Sequence, residues 1–148
     1  MLEENKEIVR RFVDEYQTGR DEGVADELVA SDFVHHYGRG WTEASTEGRE
    51  GVKLSFAAML HAPFPDLRAV IHDQIAEGDK VVTRKTFYGT HRGQFAGVPP
   101  TGKEVAIDAI DIVRIANGQI VDHWAVTDVM GFMQQVGAVP LPPSAAAG

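Results

Sequence analysis

The chain has 148 residues, 43% of them hydrophobic, which suits one domain with one buried core. Its formal net charge of -8 argues against a nucleic-acid partner, because phosphate binding needs a clustered positive face. The absence of cysteine excludes disulfides, thiolate metal ligands and a cysteine nucleophile. No apolar stretch approaches the roughly 20 residues of a membrane span, and the acidic start is unlike a signal peptide. We therefore expect a cytoplasmic protein with no membrane partner.

The first half of the chain has the apolar periodicity of helices. The spacing predicts one helix over residues 2–19, a shorter helix over 21–29 and a third over 49–61. Residues 33–37 are predicted to be extended and to lead into a glycine-rich loop over 38–48.

The second half alternates apolar and polar residues, which is typical of strands with one buried face. Asn117 and Gly118 are a strong signal for a two-residue hairpin turn, and Asp128 is placed to cap a last helix that ends at Gly137. The predicted strands are residues 67–75, 81–90, 105–115 and 119–127.

Helices followed by a meander of strands predict an α+β fold. Strands of about ten residues must coil, so we expect a curved antiparallel sheet that the N-terminal helices close into an apolar pocket. The domain is predicted to span residues 1–139, and the Pro/Ala/Ser-rich tail over 140–148 is predicted to be disordered.

The hairpin turn predicts which side chains share a face. With a two-residue loop and a regular ladder, Asp122 opposes Val113 and Trp124 opposes Asp111. Asp122, Trp124 and Asp111 are then expected on the pocket face, with His123 on the other face.

Asp122 is the leading candidate for an acid/base group. Burial on an apolar face would raise its pKa towards neutral pH and suit it to exchange a proton with a ligand. The plainer alternative is that Asp122 faces solvent or pairs with Arg114. Asp108 joins the face of Asp122 only if a bulge interrupts the ladder.

Other polar residues give weaker signals. One of His35 and His36 is expected to look inward, and Tyr16 is expected in the core with its hydroxyl near the cavity. The histidines make no recognised metal-ligand spacing. Lys53 and Lys85 follow amphipathic surface patterns, so solvated lysines are expected rather than a Schiff base.

Four segments together resemble the SnoaL-like polyketide cyclases of the nuclear transport factor 2-like superfamily. The likeness covers about residues 5–138. The segments are PFPDLR (63–68), GTHRGQFAGVPPTGK (89–103), DIVRIANGQIVDHW (111–124) and DVMGFMQQVG (128–137).

The resemblance implies a cone-shaped α+β barrel, paired into a homodimer or homotetramer. It implies a small apolar or aromatic, polyketide-like substrate and an intramolecular aldol closure that needs no metal or cofactor. By motif, the family's acid/base residue corresponds to Asp122. The position of a histidine in the family corresponds to Asp108, so this sequence departs from the family pattern there. We expect substrate contacts from His35, Tyr16, Trp124, Asp111 and Phe56.

Three functions stay open at this point. The first is an aldol cyclase that uses Asp122. The second is a pocket that binds a small apolar metabolite without reaction. The third is a hydrolase or isomerase, such as an epoxide hydrolase, in which Asp122 and either Asp108 or Asp111 activate water.

Overall fold

The computed structural model describes residues 1–36 and 48–141. The glycine-rich loop predicted over 38–48 and the disordered tail predicted over 140–148 lie almost wholly outside these residues. Within the described ranges, no helix is both long and apolar enough to cross a membrane.

Two of the helices widen before they end. The first turns from α-helical to π-helical geometry, with Gly19 N donating to Asp14 O at 3.1 Å, and the third does the same, with Ala62 N donating to Ala57 O at 2.9 Å. The predicted helices are confirmed, but nothing in their periodicity indicated this widening. The helices are α1 (Leu2–Arg11, continued by π-helical Phe12–Thr18), α2 (Glu22–Leu28), α3 (Gly48–Phe56, continued by π-helical Ala57–His61) and α4 (Val129–Gln135).

Five strands form one curved sheet in the order β1-β5-β4-β3-β2. The strands β2 to β5 form the predicted antiparallel meander, whereas β1 pairs with β5 in parallel. The α+β prediction is confirmed, and the purely antiparallel sheet is corrected at this edge. The strands are β1 (Val29–His36), β2 (Arg68–Glu77), β3 (Lys80–Thr90), β4 (Glu104–Ala116) and β5 (Gln119–Thr127).

The turn between β4 and β5 has the predicted conformation, with positive φ at Asn117 (53°) and Gly118 (74°). The ladder above it is not regular. Ile115 opposes Ile120, but Arg114 opposes Asp122, so Val121 is an extra residue on β5. A bulge of this kind moves every later side chain of its strand to the opposite face.

The helices pack on the concave face of the sheet and enclose one cluster of buried apolar residues, which runs from Val9 to Val136. Asp128 caps α4 as predicted, because its carboxylate accepts a hydrogen bond from Gly131 N at 2.8 Å. The single-domain boundary at residue 139 stays a prediction.

Candidate functional site

A cavity of about 320 Å³ lies between the concave face of the sheet and the helices α1 and α3. Most of its wall is apolar, and aromatic side chains contribute much of it. The larger apolar side chains of this wall include Phe12, Phe33, Phe56, Phe87, Phe95 and Ile107.

Five polar side chains join into one hydrogen-bonded array in the cavity wall. Lys85 Nζ lies 2.7 Å from Asp111 Oδ2 and donates to Gln17 Oε1 at 3.2 Å. His123 Nε2 lies 3.3 Å from the same Asp111 oxygen, and His123 Nδ1 lies 2.7 Å from His35 Nδ1. We call these residues, Gln17, His35, Lys85, Asp111 and His123, the polar array.

Strand register brings the array together. Asp111 on β4 pairs with Thr83, two residues from Lys85 on β3, so both side chains lie on the concave face. On β5, the bulge turns His123 to that face, and the parallel pairing of β1 sets His35 directly beside it. Gln17 enters from the π-helical part of α1.

The pair of Lys85 and Asp111 is almost fully buried, with 3% of each residue exposed. Burial alone would raise the pKa of Asp111, but the charge of Lys85 and the hydrogen bond from His123 hold that pKa below its usual range. The Lys85 ammonium also lies over the ring of Phe87, 5.1 Å from its centroid. Asp111 is therefore ionised and serves as a fixed acceptor rather than as an acid.

His35 lines the cavity as predicted. Burial is the main cause that lowers its pKa to about 4, and the neighbouring His123 and His36 add to the effect while Asp111 opposes it. The imidazole of His35 is consequently neutral at pH 7.

Asp122 does not face the cavity. It lies on the convex face, where Arg114 Nε donates to it at 2.6 Å and His36 Nε2 at 2.9 Å. Its burial would raise the pKa, but these two partners hold the pKa below its usual value. The predicted pocket position is wrong, and the reason is the extra residue Val121; the plainer alternative, a pair with Arg114, is what the structure has.

Asp108 and Trp124 also lie outside the cavity. Asp108 is exposed and accepts a hydrogen bond from Thr86 Oγ1 at 2.7 Å. Trp124 stacks on the His36 ring with 4.5 Å between centroids and 9° between planes. The bulge does put Asp108 and Asp122 on the same face, as anticipated, but that face is the outer one.

Of the other two predicted aromatic contacts, Phe56 lines the cavity and Tyr16 does not. Tyr16 is buried behind that wall, with ring centroids 5.3 Å from Phe12 and 5.6 Å from Phe56. Burial raises its pKa to about 12, so the hydroxyl keeps its proton. The cavity is reached instead by the next residue, Gln17.

Sequence reasoning missed Lys85, His123 and Gln17 as cavity residues. Lys85 was expected in water, yet it shares the inward parity of Thr83 and Phe87 on β3, and that alternation was a usable signal. His123 was assigned to the wrong face because the prediction assumed a regular ladder without the bulge. For Gln17 the sequence carries no such signal, because its direction depends on the π-helical turn.

Comparison with known proteins agrees with this fold. The family model for the SnoaL-like polyketide cyclase matches residues 7–136. Aklanonic acid methyl ester cyclase DnrD of Streptomyces peucetius is 28% identical over 135 residues, 88% of this chain and 89% of the relative. Nogalonic acid methyl ester cyclase of Streptomyces nogalater is 28% identical over 131 residues, 85% of this chain and 92% of the relative.

Solved structures give the same result. A protein of Jannaschia sp. CCS1 that is classed with SnoaL-like polyketide cyclases has a TM-score of 0.78 and 30% identity, over 93% of this chain and 94% of that chain. IdmH of Streptomyces antibioticus has a TM-score of 0.77 and 31% identity, over 90% of this chain and 98% of that chain. This chain therefore belongs to the SnoaL-like polyketide cyclase family.

Proposed function

We propose that this protein closes a ring of an aromatic polyketide ester by intramolecular aldol addition, without loss of water and without a cofactor. The observation that carries the proposal is the polar array itself, a set of proton-exchanging groups in the wall of an otherwise apolar cavity. Such a cavity suits a flat, mostly apolar ring system that presents a few oxygen atoms to one side. Two relatives bear the names of aklanonic and nogalonic acid methyl ester cyclases, which supports this substrate class.

The hydrogen bonds of the array determine where a proton can go. Asp111 is ionised and accepts from His123 Nε2, and His123 Nδ1 faces His35 Nδ1 at 2.7 Å, so the two rings share a hydrogen bond. His35 lines the cavity, and burial keeps its imidazole neutral and able to accept a proton.

We assign the general base to His35 on this ground. His35 removes a proton from the carbon next to a substrate carbonyl, and the resulting enolate carbon attacks a second carbonyl of the same molecule. The proton then returns to the new alkoxide, so that the product is an isomer of the substrate. Conjugation of the enolate with the aromatic ring lowers the demand on the base.

The remaining groups act through His35. Asp111 holds the tautomer of His123 and stabilises the positive charge that spreads through the two rings when His35 is protonated. Lys85 Nζ lies 2.7 Å from Asp111 Oδ2, so its charge keeps Asp111 ionised and fixes the orientation of the carboxylate. Asp111 and Lys85 are therefore positioning residues in this proposal.

The test uses the substrates that the relatives' names supply. We expect the protein to convert aklanonic acid methyl ester or nogalonic acid methyl ester to a cyclised isomer, detected by chromatography and an unchanged mass. Both esters bound but recovered unchanged would favour a binding protein. Incorporation of ¹⁸O from labelled water would favour a hydrolase, although that alternative has lost its paired carboxylates, since Asp108 and Asp122 lie outside the cavity.

We also propose that the working protein is a homodimer or homotetramer formed through the part of the convex face around the paired residues Ile110 and Val126. That face exposes 52% of Ile110 and 78% of Val126, which favours contact with another apolar surface. Sedimentation equilibrium tests this, and a strict monomer at micromolar concentration would contradict it. A cytoplasmic location stays a prediction.

A further inference from the structure

The side-chain amide of Gln17 points in a defined direction. Lys85 Nζ can only donate hydrogen bonds, so the Gln17 atom that lies 3.2 Å from it must be the oxygen Oε1. The amide nitrogen Nε2, with its two N–H donors, consequently faces away from Lys85.

That amide nitrogen is left for a ligand. Within residues 1–36 and 48–141, Gln17 Nε2 forms no hydrogen bond. The fully buried side-chain atoms that lack a partner in these ranges are His91 Nε2 and Asp111 Oδ1, so Gln17 Nε2 keeps some accessible surface, and Gln17 lines the cavity. Gln17 as a whole is only 1% exposed, so this donor is directed by its surroundings.

The backbone of Gln17 is anchored as firmly as its side chain. The widened turn leaves Gln17 O without a helical partner, and His61 Nε2, from the π-helical end of α3, bonds to it at 2.9 Å. Next to it, Thr18 Oγ1 accepts from Ala69 N on β2 at 2.9 Å. The π-helical turn is thereby held on the sheet, and π-helical turns recur at functional sites.

We propose that Gln17 forms a carbonyl-binding subsite, in which Nε2 donates a hydrogen bond to a ketone oxygen of the ligand and holds that oxygen as it becomes an enolate. The role of Gln17 in the enolate step rests on the proposed function. The binding of a carbonyl by Gln17 is independent of the proposed function. A fixed donor aimed at developing negative charge stabilises the transition state more than a mobile one. The subsite therefore selects fused-ring ketones over hydrocarbons of the same shape.

The binding test compares 9,10-anthraquinone with anthracene, which share three fused rings and differ in two carbonyl groups. We expect the wild type to prefer anthraquinone, and Gln17→Met to weaken anthraquinone binding by about 3- to 10-fold while changing anthracene binding less than twofold. Gln119→Met is the matched control, because it removes an amide that donates to Glu27 O at 3.1 Å, away from the cavity. Equal affinity of the wild type for both probes, or an unchanged preference in Gln17→Met, would overturn the subsite.

A second measurement needs no variant. In uniformly ¹⁵N-labelled wild type, one side-chain amide proton of Gln17 should move downfield on addition of anthraquinone, because it donates a hydrogen bond to the carbonyl, and should not move downfield with anthracene; the reverse would contradict the proposal. A turnover assay separates the carbonyl-binding subsite from the proposed aldol function. With aklanonic acid methyl ester, Gln17→Met should lower kcat about 100-fold, whereas a wild type that prefers anthraquinone but cyclises neither ester keeps the subsite and refutes the aldol function.

Discussion

The two faces of the β4–β5 hairpin carry the same chemical groups in different surroundings. The inner face has a carboxylate between a cation and an imidazole, Asp111 with Lys85 and His123. The outer face repeats this set within similar distances, as Asp122 with Arg114 and His36. The side chains of Asp111 and Lys85 are 4% exposed, against 16% for Asp122 and 38% for Arg114.

The comparison teaches that the composition of a cluster does not make it a site. The inner set adjoins an apolar cavity, where charges are poorly screened and a ligand can displace water. The outer set lies on the convex face, where solvent screens its charges. The predictions below test members of the two sets and His35, which is hydrogen-bonded to His123 of the inner set.

The largest effect on stability is expected from Asp111→Asn. This variant leaves the ammonium of Lys85 buried without a counter-charge, and breaking a buried pair costs about 3–5 kcal/mol of the free energy of unfolding. Asp122→Asn, on the outer face, should cost about 1 kcal/mol. Urea unfolding at pH 7 measures both, and equal losses would show that the two faces do not differ as described.

Substitutions on the inner and outer faces of the hairpin should differ in their effect on turnover. His123→Phe interrupts the link between Asp111 and His35 and should lower kcat for aklanonic acid methyl ester by about 100-fold or more. His36→Phe keeps a ring that can stack on Trp124 and should retain kcat within about threefold. The same assay with Asp122→Asn tests the assignment made from the sequence motif, since catalysis by Asp122 predicts the loss there instead.

Acid should weaken the fold through His35. Its pKa is about 4 when folded, below the value of 6.5 expected when unfolded, so between these pH values the unfolded chain binds more protons. The stability that this group contributes is therefore present above about pH 6.5 and lost as the pH falls towards 4. Urea midpoints at pH 7 and pH 4.5 should differ more for the wild type than for His35→Phe.

The same depressed pKa predicts the activity profile. If neutral His35 is the base, the acid limb of kcat/KM lies well below pH 6.5, as long as the protein stays folded. An acid limb at pH 6.5 would assign the base to an imidazole with an ordinary pKa.

The smallest effect is expected from Arg114→Met. Arg114 is 38% exposed and its pair with Asp122 is screened by water, so the free energy of unfolding should fall by about 1 kcal/mol or less. The loss should shrink further in 0.5 M salt. A loss as large as that of Asp111→Asn would show that solvent does not screen the outer set and would contradict the comparison.

Local patterns accounted for much of the fold but for less of the site. The apolar spacing of α1 and the turn at Asn117 and Gly118 were readable because they depend on neighbours in the chain. The pocket contacts of His35 and Phe56 were also predicted. Asp122 was misplaced by one residue, Val121, and Lys85 was read as solvated although its parity on β3 pointed inward.

The sequence by itself determined the α+β class, the order of helices and strands and the hairpin turn, because each depends on spacing within a segment. The family was indicated by the resemblance of four segments to those of known members. Only the tertiary structure decided which carboxylate faces the cavity. That choice depends on a bulge in β5, on the parallel pairing of β1 that sets His35 beside His123, and on a π-helical turn that directs Gln17. The pairing of β1 joins distant segments, whereas the bulge and the π-helical turn are local irregularities, and none of the three leaves a periodic signal in the chain.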